Sequence, residues 1–163
     1  MQGSVTGSKK AISEVEQKYI VFSLGDEEYG LPVLQVHEIV RLTELIKVPH
    51  SRDYFMGLMD IRGRVLPVIN LKKKLGIHLE EQETKLDRAI ILETGGRRVG
   101  LSVDKVSHVV RFAAEEIDSG PPTVKTVSTR FITGVGKHKD RFVVLMNLQH
   151  LFSDEELQEL FHQ

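Results

Sequence analysis

The sequence predicts a mainly β protein: two copies of one strand-rich unit, with short helices and a C-terminal helix. Three observations predict it. Short runs rich in β-branched and aromatic residues end in glycine-containing turns, the chain repeats itself internally, and a capped amphipathic stretch closes it at residues 153–162.

The repeat is the strongest of the three. Residues 19–41 align without a gap with the chain 70 positions on, giving 8 identities over 23 positions. Among them are Ile20 with Ile90, Gly25 with Gly95, Gly30 with Gly100, Leu31 with Leu101, Val36 with Val106 and Arg41 with Arg111. Residues 57–71 match again 77 positions on, with 4 identities over 15: Gly57 with Gly134, Arg64 with Arg141, Asn70 with Asn147 and Leu71 with Leu148. The seven extra residues of the second copy fall around Gly120-Pro121-Pro122. Each copy is too small to bury a core alone, so the two should share one.

Taken in order, residues 1–17 are polar and small and read as a flexible lead-in. The domain then spans 18–163, in approximate halves 18–80 and 81–152 followed by the helix. Lys18 to Leu24 is a strand halted by Gly25-Asp26, and Tyr29 to Val33 returns beside it; Pro32 favours an edge or a bend. The pattern does not fix which half the first strand joins, since strands can cross between the units of a duplicated fold. Val36 to Leu42 continues the apolar segment. Ser51 reads as the N-cap of one helical turn through Met56, stopped by Gly57. Two apolar runs then flank Arg62-Gly63-Arg64, where Gly63 can take a positive φ for a tight hairpin. Its two arginines are either the solvated tip of a turn or a docking handle, because a guanidinium offers a rigid fork of donors. Leu71 and Leu75 bracket Lys72-Lys73-Lys74 as a short helix with a wet basic side, and the polar stretch 78–87 is the internal boundary. At the end, Ser153 and Glu156 form a capping box, Phe152 and Leu157 a hydrophobic staple, and Leu157, Leu160 and Phe161 one apolar stripe.

The composition excludes several functions. A net charge of −1 gives no basic face for nucleic acid, and 6% aromatic residues with no tryptophan supply few stacking platforms. The chain has no cysteine, so disulfide and thiolate chemistry are absent. Its seven histidines include no pair at i, i+3 or i, i+4, which argues against a metal site. Ser102, Asp104 and His108 lie on a strand pair without a nucleophile elbow, and the glycines at 95–96 and 134–136 are hairpin residues, not phosphate cradles. No window approaches 18 apolar residues and no signal segment precedes the domain, so the expected place is the cytoplasm without membrane insertion. Two classes remain: a protein-interaction module, which charge and composition favour, or a barrel pair binding a small ligand or nucleic acid.

Phe22-Ser23-Leu24-Gly25-Asp26-Glu27-Glu28-Tyr29-Gly30-Leu31 resembles the first hairpin of the bacterial chemotaxis coupling family, CheW. Val36-His37-Glu38-Ile39, Gly57 through Leu71, and Phe131-Ile132-Thr133-Gly134-Val135-Gly136 resemble its later signatures, in the same order. The resemblance implies two five-stranded, SH3-like β-barrel subdomains on a shared hydrophobic core. It implies a non-enzymatic adaptor without cofactor or metal, linking the cytoplasmic tip of chemoreceptors to the regulatory domain of the histidine kinase CheA. Such an adaptor would be recruited to the inner face of the membrane through receptor arrays, where coupling protein and kinase domain alternate in rings. Carried over by position, the receptor-facing groove comprises Val36, Glu38, Gly57, Arg62, Val106 and Val109; no kinase-binding residue is assigned. Asn70 stands where the family often has Asp, and the loop around Pro121-Pro122-Thr123-Val124 is more polar than in relatives that present an aromatic there. A CheV-type coupling domain, which carries a fused receiver elsewhere in its chain, would show the same motifs.

Overall fold

The structure, a computed structural model, describes residues 16–77, 88–119 and 131–161. Strands β1 (Gln17–Leu24), β2 (Glu27–Pro32), β3 (Val36–Arg41), β4 (Phe55–Ile61) and β5 (Arg64–Asn70) precede helix α1 (Leu71–Leu75). Strands β6 (Arg88–Thr94), β7 (Arg97–Val103), β8 (Lys105–Phe112), β9 (Ile117–Asp118), β10 (Ile132–His138) and β11 (Arg141–Met146) follow, then helix α2 (Asp154–Phe161). The expected lead-in, the connector at 78–87 and the loop around Pro121-Pro122 lie almost wholly outside the described residues.

The mainly β class holds, and the strands form two sheets. One has six strands in the order β8-β1-β2-β11-β10-β9; the other has five, in the order β3-β6-β7-β5-β4. The six-strand count, against the five expected, comes from the two-residue β9 pairing beside β10. The sheets are SH3-like without closing into ladder-complete barrels. Each instead bends until its margins meet: Glu38 of β3 bonds Arg62 just beyond β4, and His108 of β8 lies against His138 at the end of β10.

The open question about the first strand has a definite answer. Hairpin β1–β2 belongs to the six-stranded sheet with β8 to β11 of the second copy, while β6–β7 inserts among β3, β4 and β5 of the first. The copies thus exchange hairpins. Each guest hairpin meets its host antiparallel on one side (β1 with β8, β6 with β3) and parallel on the other, where a glycine stands opposite a host residue: Gly30 opposite Leu145, Gly100 opposite Val68. A Cβ at Gly30 would sit 2.8 Å from Leu145 Cδ2, and one at Gly100 3.2 Å from Val68 Cγ2. The repeated glycines therefore let the host side chain lie against the guest backbone.

Strand alternation then sorts side chains between three clusters. On β1, Tyr19 and Val21 face a small core inside their own sheet with Phe112 and Leu145, whereas Phe22 and Leu24 turn to the shared core. On β6, Ala89 and Ile91 face Met59 and Val68, whereas Ile90 and Leu92 turn to the shared core. That central cluster also takes Leu31, Leu101, Met146 and, from α2, Leu160. The shared interior expected from the size of each copy is therefore present.

The C-terminal capping box is formed as expected: Glu156 N–H donates to Ser153 Oγ (3.1 Å) and Ser153 N–H to Glu156 Oε1 (2.9 Å). Two local expectations fail. No helical turn follows Ser51; Phe55 and Met56 belong to β4, since pairing Phe55 with Ile69 outweighs a single turn, and His50 Nδ1, not Ser51, accepts the Arg52 N–H at 3.0 Å. Nor are the α1 lysines wholly a wet face: Lys73 is exposed, but its two neighbours are not. Lys72 Nζ lies 3.1 Å from Asp104 and Lys74 Nζ 3.3 Å from Glu156, with side chains 11% and 9% exposed.

A candidate docking groove between the sheets

Val36 stands where β3 leaves a turn of 3₁₀ helix, Val33–Gln35, begun by Pro32 at φ −54°. Proline fixes that φ and cannot continue the β1–β2 ladder, so the chain bends out there. The bend opens a cleft of about 250 Å³ lined by Leu34, Val36, His37 and Leu92 on one side and by Leu148 and Gln149 on the other. Gln35 clamps its floor, donating to Asn147 Oδ1 (2.9 Å) and accepting the Leu148 N–H (3.1 Å).

A β-bulge between Val36 and Glu38 re-aims β3 against β6. Glu38 then meets Arg62, whose Nη2 donates to Oε1 at 2.7 Å; the carboxylate side chain is 25% exposed and the guanidinium 71%. Arg62 and Gly63 both have positive φ, 52° and 85°, the pattern of a two-residue reversal, and Asp60 Oδ1 accepts the Gly63 N–H at 2.9 Å. The arginine itself, and not only the glycine, occupies the left-handed region, so its side chain projects from a rigid tip.

The six predicted groove residues divide by sheet. Val36, Glu38, Gly57 and Arg62 belong to the five-stranded sheet and its hairpin tip, with Glu38 and Arg62 in direct contact. Val106 and Val109 lie on β8 at the edge of the other sheet. Val36 and Val106, repeat counterparts, both pack half-buried against the shared core, which is what links the two sets. Val109 is exposed on its edge strand. Gly57 has an internal reason for being glycine. Its φ is 146°, and a Cβ there would meet the Ile46 carbonyl oxygen at 2.8 Å, because Ile46 and Leu58 exchange backbone hydrogen bonds of 2.7 and 2.9 Å.

Sequence reading missed Leu34. Its side chain is 91% exposed at the rim of the cleft, the most exposed large apolar residue described. The signal was the Pro32 break followed by an apolar residue, which the run from Tyr29 to Val40 masked. Asn70 is explained locally: its Oδ1 accepts the Lys73 N–H at 3.2 Å and caps α1.

The connector behind Gly57 is tied to α2 by a polar network. Arg52 binds Glu159 through Nε (2.6 Å) and Nη2 (3.0 Å), and the Tyr54 hydroxyl donates to Glu156 (3.1 Å). The hydrogen bond and charge of Glu159 raise the Arg52 pKa, and the same hydrogen bond lowers that of Glu159. Burial, then Glu156, pushes the Tyr54 phenol up. Burial pushes Glu156 up, but the Ser153 N–H, Lys74 and the Tyr54 hydroxyl outweigh it and leave the carboxyl below its ordinary value. Among the described residues no group of three or more His, Cys, Asp or Glu is placed to hold a metal, and no helix is long and apolar enough to cross a membrane.

A duplicated β module with an open cleft rimmed by an exposed leucine and, beside it at Glu38, a charged hairpin tip has the architecture of an interaction scaffold. Residues 18–156 match the CheW-like domain model, and the chain belongs to the CheW-like family, a non-enzymatic scaffold family of chemotaxis. It is 34% identical to the chemotaxis protein CheW of Klebsiella aerogenes over 160 residues, covering 96% of this chain and 94% of that protein. It is 30% identical to CheW of Helicobacter pylori over 149 residues, covering 91% and 89%. The crystal structure of the scaffolding protein TtCheW from Thermoanaerobacter tengcongensis superposes with a TM-score of 0.74 at 37% identity, covering 85% of this chain and 89% of that one.

Proposed function

We propose that this chain is the cytoplasmic adaptor that couples chemoreceptor tips to the regulatory domain of the histidine kinase CheA, reaching the inner membrane face only through the receptors it binds. The observation that carries the receptor half of this reading is the exposed apolar side chain of Leu34 at the rim of the cleft, next to the Glu38–Arg62 pair. A helical receptor tip would lay an apolar stripe along Leu34 and Val36, as amphipathic helices do in grooves. Arg62, already held outward by its backbone, would fix the register by turning its fork from Glu38 to acceptors on the helix. Val106 and Val109 would extend the same surface across the shared core; Gly57 would act indirectly, by seating the connector under the hairpin.

The test is a binding titration against a receptor cytoplasmic fragment and, separately, the kinase regulatory domain. Arg62→Ala is expected to weaken the receptor contact by about 2 kcal/mol, roughly 30-fold, and to spare the kinase contact. Loss of neither contact on substitution would place the receptor site elsewhere, and binding of wild type to neither partner would overturn the coupling reading.

A further inference from the structure

The two sheets close their margins at equivalent places with different chemistry. In the first copy Arg62 donates to Glu38 of β3 at 2.7 Å, an ion pair complete in itself. Glu38 moved 70 positions on is His108 of β8, and Ile61 moved 77 positions on is His138 of β10. The two rings lie side by side across the second margin, their centres 5.4 Å apart and their planes 37° from parallel. No ladder joins β8 to β10 there; His108 is held opposite Val21 of β1, and His138 opposite Arg141 of β11. Two residues before His138, Gly136 lies against the Phe112 ring of β8, and a Cβ there would meet Phe112 Cζ at 2.6 Å. That contact sets how closely the two strands approach. Among the described residues neither histidine ring has a hydrogen-bond or ion-pair partner. His108 is exposed and His138 half-buried.

We propose that His108 and His138 are the protein ligands of a divalent transition-metal cation of the zinc class, which latches the second margin as the ion pair latches the first. Neutral imidazole is a ligand for Zn²⁺, Cu²⁺ and Ni²⁺, whereas Mg²⁺ and Ca²⁺ take oxygen donors. A tetrahedral ion about 2.0–2.1 Å from one nitrogen of each ring holds the ring centres about 5.2 Å apart. The observed 5.4 Å matches that span, so the strands need not move. Turning each ring about its own side-chain bonds aims a nitrogen at the shared point. Water fills the other two positions, which makes the site exchangeable and of modest affinity, unlike a closed four-ligand structural site. The adjacent cations are partly offset by carboxylates: Arg141 by Glu28 at 3.4 Å and Lys137 by Asp140 at 3.9 Å. Spacing along the sequence hides the site, because its ligands come from strands and lie 30 positions apart. The inference does not rest on the coupling function, and its failure leaves that reading intact.

The experiment is calorimetric titration of the intact, chelator-stripped chain with Zn²⁺ near neutral pH, with Mg²⁺ as the comparison ion. Wild type is expected to bind a single Zn²⁺ and no Mg²⁺. His108→Gln and His138→Gln are each expected to weaken the Zn²⁺ site at least about tenfold. His150→Gln, outside the site, should bind as wild type does. The latch itself is read by amide exchange. Zn²⁺ should slow exchange at the β8 and β10 amides beside the two rings in wild type, and leave both glutamine variants unaffected. Should His138→Gln lose its native circular dichroism, the substitution at exposed His108 decides alone. Wild type that binds Zn²⁺ no tighter than His108→Gln overturns the inference, since other groups then account for the ion. So does Zn²⁺ binding that leaves exchange along β8 and β10 unchanged.

Discussion

Positions 34 and 104 are the same place in the two copies, and they do opposite things. Leu34 sits on an outward turn between β2 and β3, 91% exposed. Asp104 sits between β7 and β8 with its side chain 12% exposed, accepting from Lys72 Nζ (3.1 Å) and from the Gly25 backbone N–H. Its own N–H donates to Ser23 O at 3.1 Å. The second junction therefore locks the β1–β2 hairpin and α1 to the crossover between sheets, and the first is left for the outside. The difference teaches that duplication supplied one scaffold twice while side chains at equivalent sites diverged: cohesion at one junction and, in the function proposed above, docking at the other.

Breaking the locked junction should have the largest effect. Asp104→Ala removes the carboxylate that Lys72 and the Gly25 N–H share at a site only about one-tenth exposed, and is expected to cost about 3–5 kcal/mol of stability; urea unfolding measures it, and a loss under about 1 kcal/mol would mean the pair is not a lock. The open junction should show the reverse. Leu34→Ser should change stability by no more than about 0.5 kcal/mol, so any effect it has must appear in binding.

Smaller effects concern the helix that steadies the connector. Ser153→Ala removes half of the capping box and should cost about 1 kcal/mol, read by thermal unfolding. Acid should act on the same helix. Glu156 and Glu159 both have lowered folded pKa values, so their contribution is full above the ordinary carboxylate value of 4.5 and is lost as pH falls through the lowered values. Amide exchange in α2 should therefore be steady near neutrality and rise, after correction for intrinsic rates, below about pH 4, while the β6–β7 amides stay protected.

Much of this was legible in the sequence. The repeat located every hairpin, because glycine positions and alternating runs persist when other residues change, and the Ser153–Glu156 spacing fixed the last helix. The exchange of hairpins was not legible. The β1 and β6 strands have nearly the same alternation and similar bulk, so either could pair with either remainder, and only the three-dimensional packing of Gly30 against Leu145 and Gly100 against Val68 distinguishes them. The Lys72–Asp104 and Lys74–Glu156 pairs were hidden for a related reason: their carboxylates arrive from 32 and 82 residues away. Of the candidate groove, the structure brings Glu38 and Arg62 into contact, whereas Leu34 lay concealed in an apolar run. A long apolar stretch records that residues are hydrophobic, not which of them the bend at Pro32 turns outward.

The most direct test of the central claim is calorimetric titration of wild type and Leu34→Ser with a chemoreceptor cytoplasmic fragment, alongside the unfolding curve of each. The division of labour predicts at least about tenfold weaker binding with an unchanged unfolding midpoint. Unchanged binding, or a weakening that only follows a loss of stability, would contradict it.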